Sequence, residues 1–338
     1  MDSEGMLDGF EKILEFKEER LKILDDLIKR KDVLRAEINN ISTIRNVKDW
    51  KYLSVGAVDS SFYELISDNW GRRLYVISVS GVGFIPGAPH VSKNHEVTTK
   101  DYVLGYEEEE NYGRILKGLS MANEIYSVKK WFSDMDLVIL DGSAKSFIIA
   151  INQAMTVNNL ENSESVNKIK SIYKETLEAL YEMLHLGKAV FIPKISDKKP
   201  LSDEVLIADK VSTPIKNDYA ILEAVLEKGE YIVIELGHIP EAQPWRYTLP
   251  KKEGVSDEFL SRLFSLLKNL KIIYFKTKAG RVVKLETSTP LSVSTLCGFF
   301  VFEGENILTY LADQSAKYYS AKLNRYANLI NFPWKYRI

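Results

Sequence analysis

The sequence predicts an α/β domain on a mixed β-sheet flanked by helices, and three observations carry that prediction. Two short apolar runs, Leu53–Val58 and Leu137–Leu140, read as buried strands, and each is followed by an aspartate and then a small residue. Between them, Arg72–Ser80 is rich in β-branched and aromatic residues and is followed at once by Val82–Ile85, close enough for antiparallel pairing in a meander. Beyond Leu137, apolar strands alternate with helical stretches, the pattern of an α/β domain.

The elements follow in order. Leu7 to Ile41 reads as one long helix: Leu7, Phe10, Leu14, Leu21, Leu24 and Ile28 fall three or four residues apart or at multiples of that spacing, with Lys17 and Lys31 at two seam positions. The stripe fits either a helix packed on its own domain or an arm that pairs with a partner. Asn39, Asn40 and Ser42 mark its end. Gly81, Gly83 and Gly87 have the wrong spacing for a dinucleotide fingerprint, and no helix opens after them. Glu107–Glu110 reads as a solvated loop. Helices are expected over Tyr112–Trp131, Ala144–Val157, Ser165–Leu186, Tyr219–Glu227, Asp257–Leu267 and Ile307–Ala327. Further strands are expected at Ala189–Ile192 and Tyr231–Leu236, with a hairpin of Ile272–Lys278 and Arg281–Glu286 around Ala279-Gly280. Residues 1–48 form a helical arm, 49–330 the main domain with helical insertions, and 331–338 a basic aromatic tail.

Composition narrows the function classes. The chain has 338 residues, 45% hydrophobic and 27% charged, as for an ordinary globular protein with a substantial core. A net charge of −2 provides no global basic field, so nucleic-acid binding would need a local patch. Candidate basic pairs are Arg72-Arg73, Lys129-Lys130, Lys198-Lys199 and Lys251-Lys252, with Trp245, Trp334 and Tyr336 as stacking groups; each pair is also an ordinary solvated face. The single cysteine, Cys297, rules out an internal disulfide and a multi-cysteine zinc site, and its apolar surroundings indicate a buried, inert thiol. No apolar segment reaches the roughly 18 residues of a membrane helix. With an acidic, helical N-terminus, the expected compartment is the cytoplasm.

The chemistry centres on carboxylates. Asp59 ends the first strand, Asp141 ends the strand Leu137–Leu140, and Glu124 lies among core-facing positions of the preceding helix. A helix packed on a sheet brings its glutamate over adjacent strand ends. Three carboxylates in a small volume repel one another unless cations neutralise them. Oxygen ligands select hard ions such as Mg²⁺ or Mn²⁺, and two such ions about 4 Å apart activate water and stabilise the leaving oxygen of a phosphodiester. Lys194, after Ala189–Ile192, is placed to meet phosphate charge, and Asp203 to complete the cage. Asp-Gly-Ser after a strand is also a common turn or cap sequence, and a glutamate on a helix flank is usually solvated. The four histidines are scattered; His90 and His95 could share a site with Asp101, or lie in loops or on the surface. No Gly-Xaa-Ser-Xaa-Gly elbow and no P-loop occur, so serine hydrolysis and intrinsic nucleotide hydrolysis by a P-loop are not indicated.

The ordered set VGAVDSS (55–61), a helix with Glu124, LVILDGS (137–143), FIPKIS (191–196), Asp203 and the late hairpin resembles the NurA family of archaeal and bacterial nucleases, over about Val55 to Ala327. The resemblance implies an RNase H-like core and a homodimer. It also implies Mn²⁺-dependent 5′-to-3′ exonuclease and single-strand endonuclease activity, exercised with a hexameric HerA-type translocase in DNA end resection and double-strand break repair. By that resemblance Asp59, Glu124 and Asp141 carry the metal, with Asp203 as a fourth ligand. The chain departs from the family near its last helix. Glu305 stands where a tyrosine is expected and Asp313 where a histidine is expected. Asp313 either serves as an oxygen ligand or marks weakened catalysis, as in a paralogue that binds DNA or regulates its ATPase. Another RNase H-like enzyme, an RNA-directed nuclease or a recombinase, is the third reading.

Overall fold

The computed structural model describes residues 3–48, 53–67, 72–84, 92–103, 109–155, 164–193, 218–235 and 254–302. The chain opens with α1 (Ser3–Lys29) and α2 (Lys31–Ile41), not the continuous helix expected. Arg30, at φ −104° and ψ 11°, leaves the helical well, and its N–H bonds the Leu27 carbonyl at 3.2 Å in a tightened turn. The expected seam is not the packed stripe. Leu14, Leu21 and Ile28 are 57, 59 and 50% exposed, whereas Leu27, Leu34 and Ile38 are buried. A straight helix rotates a 3.5-residue seam away from a fixed partner. Side chains 11–22 are all exposed, while Leu27, Leu34 and Ile38 enter the core, so the packed-helix reading holds for the second half.

The strands are β1 (Arg45–Asn46), β2 (Val55–Ser67), β3 (Arg72–Phe84), β4 (Ser92–Val103), β5 (Leu137–Asp141), β6 (Ala189–Ile192), β7 (Glu230–Glu235), β8 (Lys271–Lys276) and β9 (Val282–Thr287). Among the described residues they form one mixed sheet in the order β1-β7-β8-β9-β6-β5-β2-β3-β4. β2, β5 and β6 are parallel and every other pairing is antiparallel. The segment β4-β3-β2-β5-β6 is an antiparallel meander joined through its first strand to two parallel crossovers, the RNase H-like arrangement. The remaining helices are α3 (Glu109–Phe132), α4 (Ala144–Met155), α5 (Glu164–His185), α6 (Asp218–Val225), α7 (Asp257–Lys268) and α8 (Val293–Phe302). Strand alternation divides the core in two. Val58, Leu140, Phe191 and Tyr274 face α1–α7, and Ala57, Ile139, Ile192 and Leu285 face the layer containing Leu296 and Cys297 of α8. Cys297 is fully buried and burial pushes its thiol pKa up, as an inert thiol requires.

Several expectations need correction. β2 does not stop at Val58 but continues through Asp59 to Ser67, because β3 pairs with it all the way. Arg72–Phe84 is one strand, not two, and the meander's third strand is β4, which polar SKNHEVTTKDYV did not announce. Gly81 does not break β3. A Cβ there would lie 2.8 Å from the Phe132 ring, and one at Gly56 would lie 2.6 Å from it. Both glycines make room for one aromatic side chain of α3. β1 and α8 were also not anticipated. The expected helix Ile307–Ala327, the tail Trp334–Arg337, and the stretches Lys198–Ser212 and Pro240–Pro250 lie outside the described residues.

Arg35 fastens α2 to the sheet. Its two amino nitrogens donate to the two Glu230 carboxylate oxygens, each at 2.8 Å, and one also reaches the Val225 carbonyl at 2.8 Å. The Arg35 bonds hold the Glu230 carboxyl below the usual glutamate range, against the opposing effect of burial. A lowered carboxylate pKa contributes stability that is complete above the unfolded value of about 4.3 and is lost as pH falls through the folded one. Thermal unfolding from pH 7 to 3 should therefore show a steeper acid loss in the wild type than in Glu230→Gln, which should itself cost about 2 kcal/mol at neutral pH. Gly56→Ala should cost about 1–3 kcal/mol by overpacking against Phe132. Gly113→Ala, on α3 with nothing within 4 Å of the added carbon, should stabilise slightly, and calorimetry on the pair separates crowding from helix propensity.

Candidate metal centre

The site is assembled by strand register. At the start of β2 and β5, the Ser54 N–H and Oγ donate to Asp136 Oδ2 at 2.8 and 2.7 Å, and the Asp136 N–H donates to the Ser54 carbonyl at 3.0 Å. This reciprocal clamp starts a parallel ladder from Val55↔Leu137 to Val58↔Leu140. Asp59 and Asp141 are each the next residue. They therefore stand on neighbouring strands, whose spacing is about 4.8 Å. By alternation both side chains belong to the sheet face of Ala57 and Ile139. Asp59 is 8% exposed, and its Oδ1 accepts the Ser60 N–H at 2.9 Å.

Glu124 comes from the opposite face. It is 4% exposed on α3, and its Oε1 accepts the Ser60 hydroxyl. The glutamate is thus tied to the residue after Asp59, on the other side of β2. Among the described residues no group of three His, Cys, Asp or Glu side chains is placed to share one metal ion. Lys194, Asp203, Glu305 and Asp313 lie outside the described residues, as does His90. In β4, His95 is level with Ser80 and Asp101 with Leu74, at separate points along the strand. His185 is exposed and stacks on Tyr181. Lys129 of the basic pairs is engaged by Glu182 at 2.8 Å.

The turn after Asp141 is built by both readings of Asp-Gly-Ser. Gly142, at φ +146°, donates its N–H to the Ile192 carbonyl at 2.9 Å. Ser143 caps α4, its Oγ accepting the Ser146 N–H at 3.0 Å. Two further residues were not foreseen, Lys284 and Glu286 of β9. Their side chains are about 10% exposed and form a pair at 3.1 Å, and Glu286 Oε2 accepts the Ala144 N–H at 3.0 Å. Alternating charge in VVKLET reads as a solvated strand face, so only the fold reveals that the pair is buried. Nearby, the Tyr274 hydroxyl donates to Asp218 Oδ2 at 2.6 Å; burial first, and then Asp218, push its pKa well up.

The described donor set at the end of the β2–β5 ladder is oxygen only. Two carboxylates in register fit a hard divalent cation, which would offset their mutual repulsion.

No family model matches the sequence, and no curated protein matches it. Solved structures do. The NurA nuclease from Sulfolobus solfataricus superposes with a TM-score of 0.60 at 12% identity, over 96% of this chain and 98% of that one. A structure of NurA bound to dAMP and manganese gives 0.54 at 13% identity, covering 94% of each chain. A structure of NurA with manganese gives 0.50 at 13% identity, covering 92% of this chain and 94% of that one. The chain, divergent as its sequence is, shares the fold of the NurA nucleases.

Proposed function

We propose that the protein is a divalent-metal-dependent deoxyribonuclease, a 5′-to-3′ exonuclease and single-strand endonuclease. The observation that carries the reading is the placement of Asp59 and Asp141 side by side, one residue beyond the β2–β5 ladder, in a chain with the fold of NurA nucleases. Asp59 and Asp141 would hold Mn²⁺ or Mg²⁺, with Asp203 and Asp313 as candidates to complete two ion sites and Glu124, on the opposite face of β2, acting through Ser60. When bound, such ions supply an activated water and charge stabilisation at a phosphodiester. Ser60 orients Asp59 and Glu124 through its N–H and hydroxyl. Lys194 is assigned to phosphate charge. ATP-driven movement along DNA falls to a HerA-type hexameric partner in end resection, since the chain has no P-loop of its own. The second reading, a poorly cleaving relative that binds DNA or regulates that ATPase, is favoured by Glu305 and Asp313 in place of the expected tyrosine and histidine.

The purified wild type should cleave single-stranded DNA with Mn²⁺. Asp59→Ala and Asp141→Ala should each lose about 100-fold or more. Equal rates for the wild type and Asp141→Ala would remove Asp141 from the mechanism. Absence of cleavage with every divalent ion, with a partner ATPase still stimulated, would establish the second reading. The exposed stripe of Ile13, Leu14, Phe16 and Leu21 on α1 supports a homodimer. Sedimentation should give a dimer for the wild type and a monomer for Leu14→Glu with Leu21→Glu.

A further inference from the structure

Glu286 occupies a costly position. It lies on β9, level with Phe191 of β6, which is itself level with Leu140 of β5. Its side chain lies on the helix-facing side, where its neighbours across the sheet, Phe191 and Ile272, are essentially fully buried. Burying a lysine and a glutamate together is at best neutral relative to well-packed apolar residues. The pair is nonetheless present, and one carboxylate oxygen is committed to a backbone amide 142 residues away, Ala144 N–H. That amide is the third residue after Asp141. Ser143 already caps the helix through Ser146, so Glu286 is not the only group closing this end of α4.

The turn bearing Asp141 is thus held at two points. The Gly142 N–H is held by the Ile192 carbonyl and the Ala144 N–H by Glu286. Lys284 meets the other carboxylate oxygen, Oε1, at 3.1 Å, so both oxygens of Glu286 are engaged and its side chain is held in place. We propose that Glu286 is a positioning residue for Asp141, with Lys284 as its counter-ion, and that it fixes the carboxylate for metal capture from behind the strand. The inference rests on the metal-site reading above. Groups that orient a ligand without touching the ion typically alter affinity by about 10–100-fold.

The test is Mn²⁺ affinity by calorimetry, alongside hydrogen exchange of the 142–146 amides without metal. Glu286→Ala should bind Mn²⁺ about 10-fold more weakly than the wild type and exchange the Ala144 amide faster. Glu286→Gln combined with Lys284→Met keeps the acceptor and removes the stranded cation. It should restore affinity to within about 3-fold of the wild type, a rescue that generic destabilisation does not give. If Glu286→Ala does not fold, Glu286→Asp carries the test, its shorter side chain failing to reach Ala144. Wild-type affinity in Glu286→Ala or Glu286→Asp, with the Ala144 amide deprotected, would overturn the inference alone. Failure of the wild type to bind Mn²⁺ would overturn the metal site itself, and this inference with it.

Discussion

The parallel pairing of β2 with β5 is the constraint on which the carboxylate pair depends. Four residue pairs, all but buried on both sides, leave no freedom in register, since a slip of one would turn each strand's apolar set to the wrong face. The Ser54–Asp136 clamp fixes where the ladder starts, and the aspartates stand where it ends. Polar groups at both limits and Val, Ala, Ile and Leu between them make the ladder a ruler. Its length sets the level of Asp59 relative to Asp141, and its parallel direction sets them on one face.

Much of this was legible in the sequence. LVIL and AVFI are short, wholly apolar runs, and the structure reproduces them within a residue. Helices such as Asp257–Lys268 were equally clear, because their burial follows one stripe. What escaped has identifiable physical causes. β4 is polar and its pairing partner supplies the order that its composition does not. Gly81 looked like a break because its neighbour in space, Phe132, is far along the chain. The α1 seam matched a coiled-coil period, but the fold packs a different stripe. Lys284 and Glu286 alternate as solvated residues do, and only their place on the helix-facing side of the sheet makes them buried.

The candidate site shows the same division. Asp59 and Asp141 were readable because each directly follows a short apolar run, a local signal, although only Asp141 ends its strand. Glu124 was chosen as a carboxylate among core positions, and it is indeed buried, yet it meets the sheet through Ser60 on the side away from the aspartates. Periodicity within a helix cannot say which face of a strand it will meet. That depends on the crossover, a property of the whole topology. The same topology carries the Glu286 contact, which no local motif encodes.

The Ser54–Asp136 contact spans 82 residues of chain. The β2–β3–β4 meander involves neighbours in sequence, and such hairpins close early and at small entropic cost, whereas the crossover must close a much longer loop. A ribosome-bound chain that has exposed only its first hundred residues contains Asp59 without Asp141. Assembly of the acidic pair is in this way deferred until β5 follows α3 out of the ribosome, and until then Asp59 stands without Asp141 beside it.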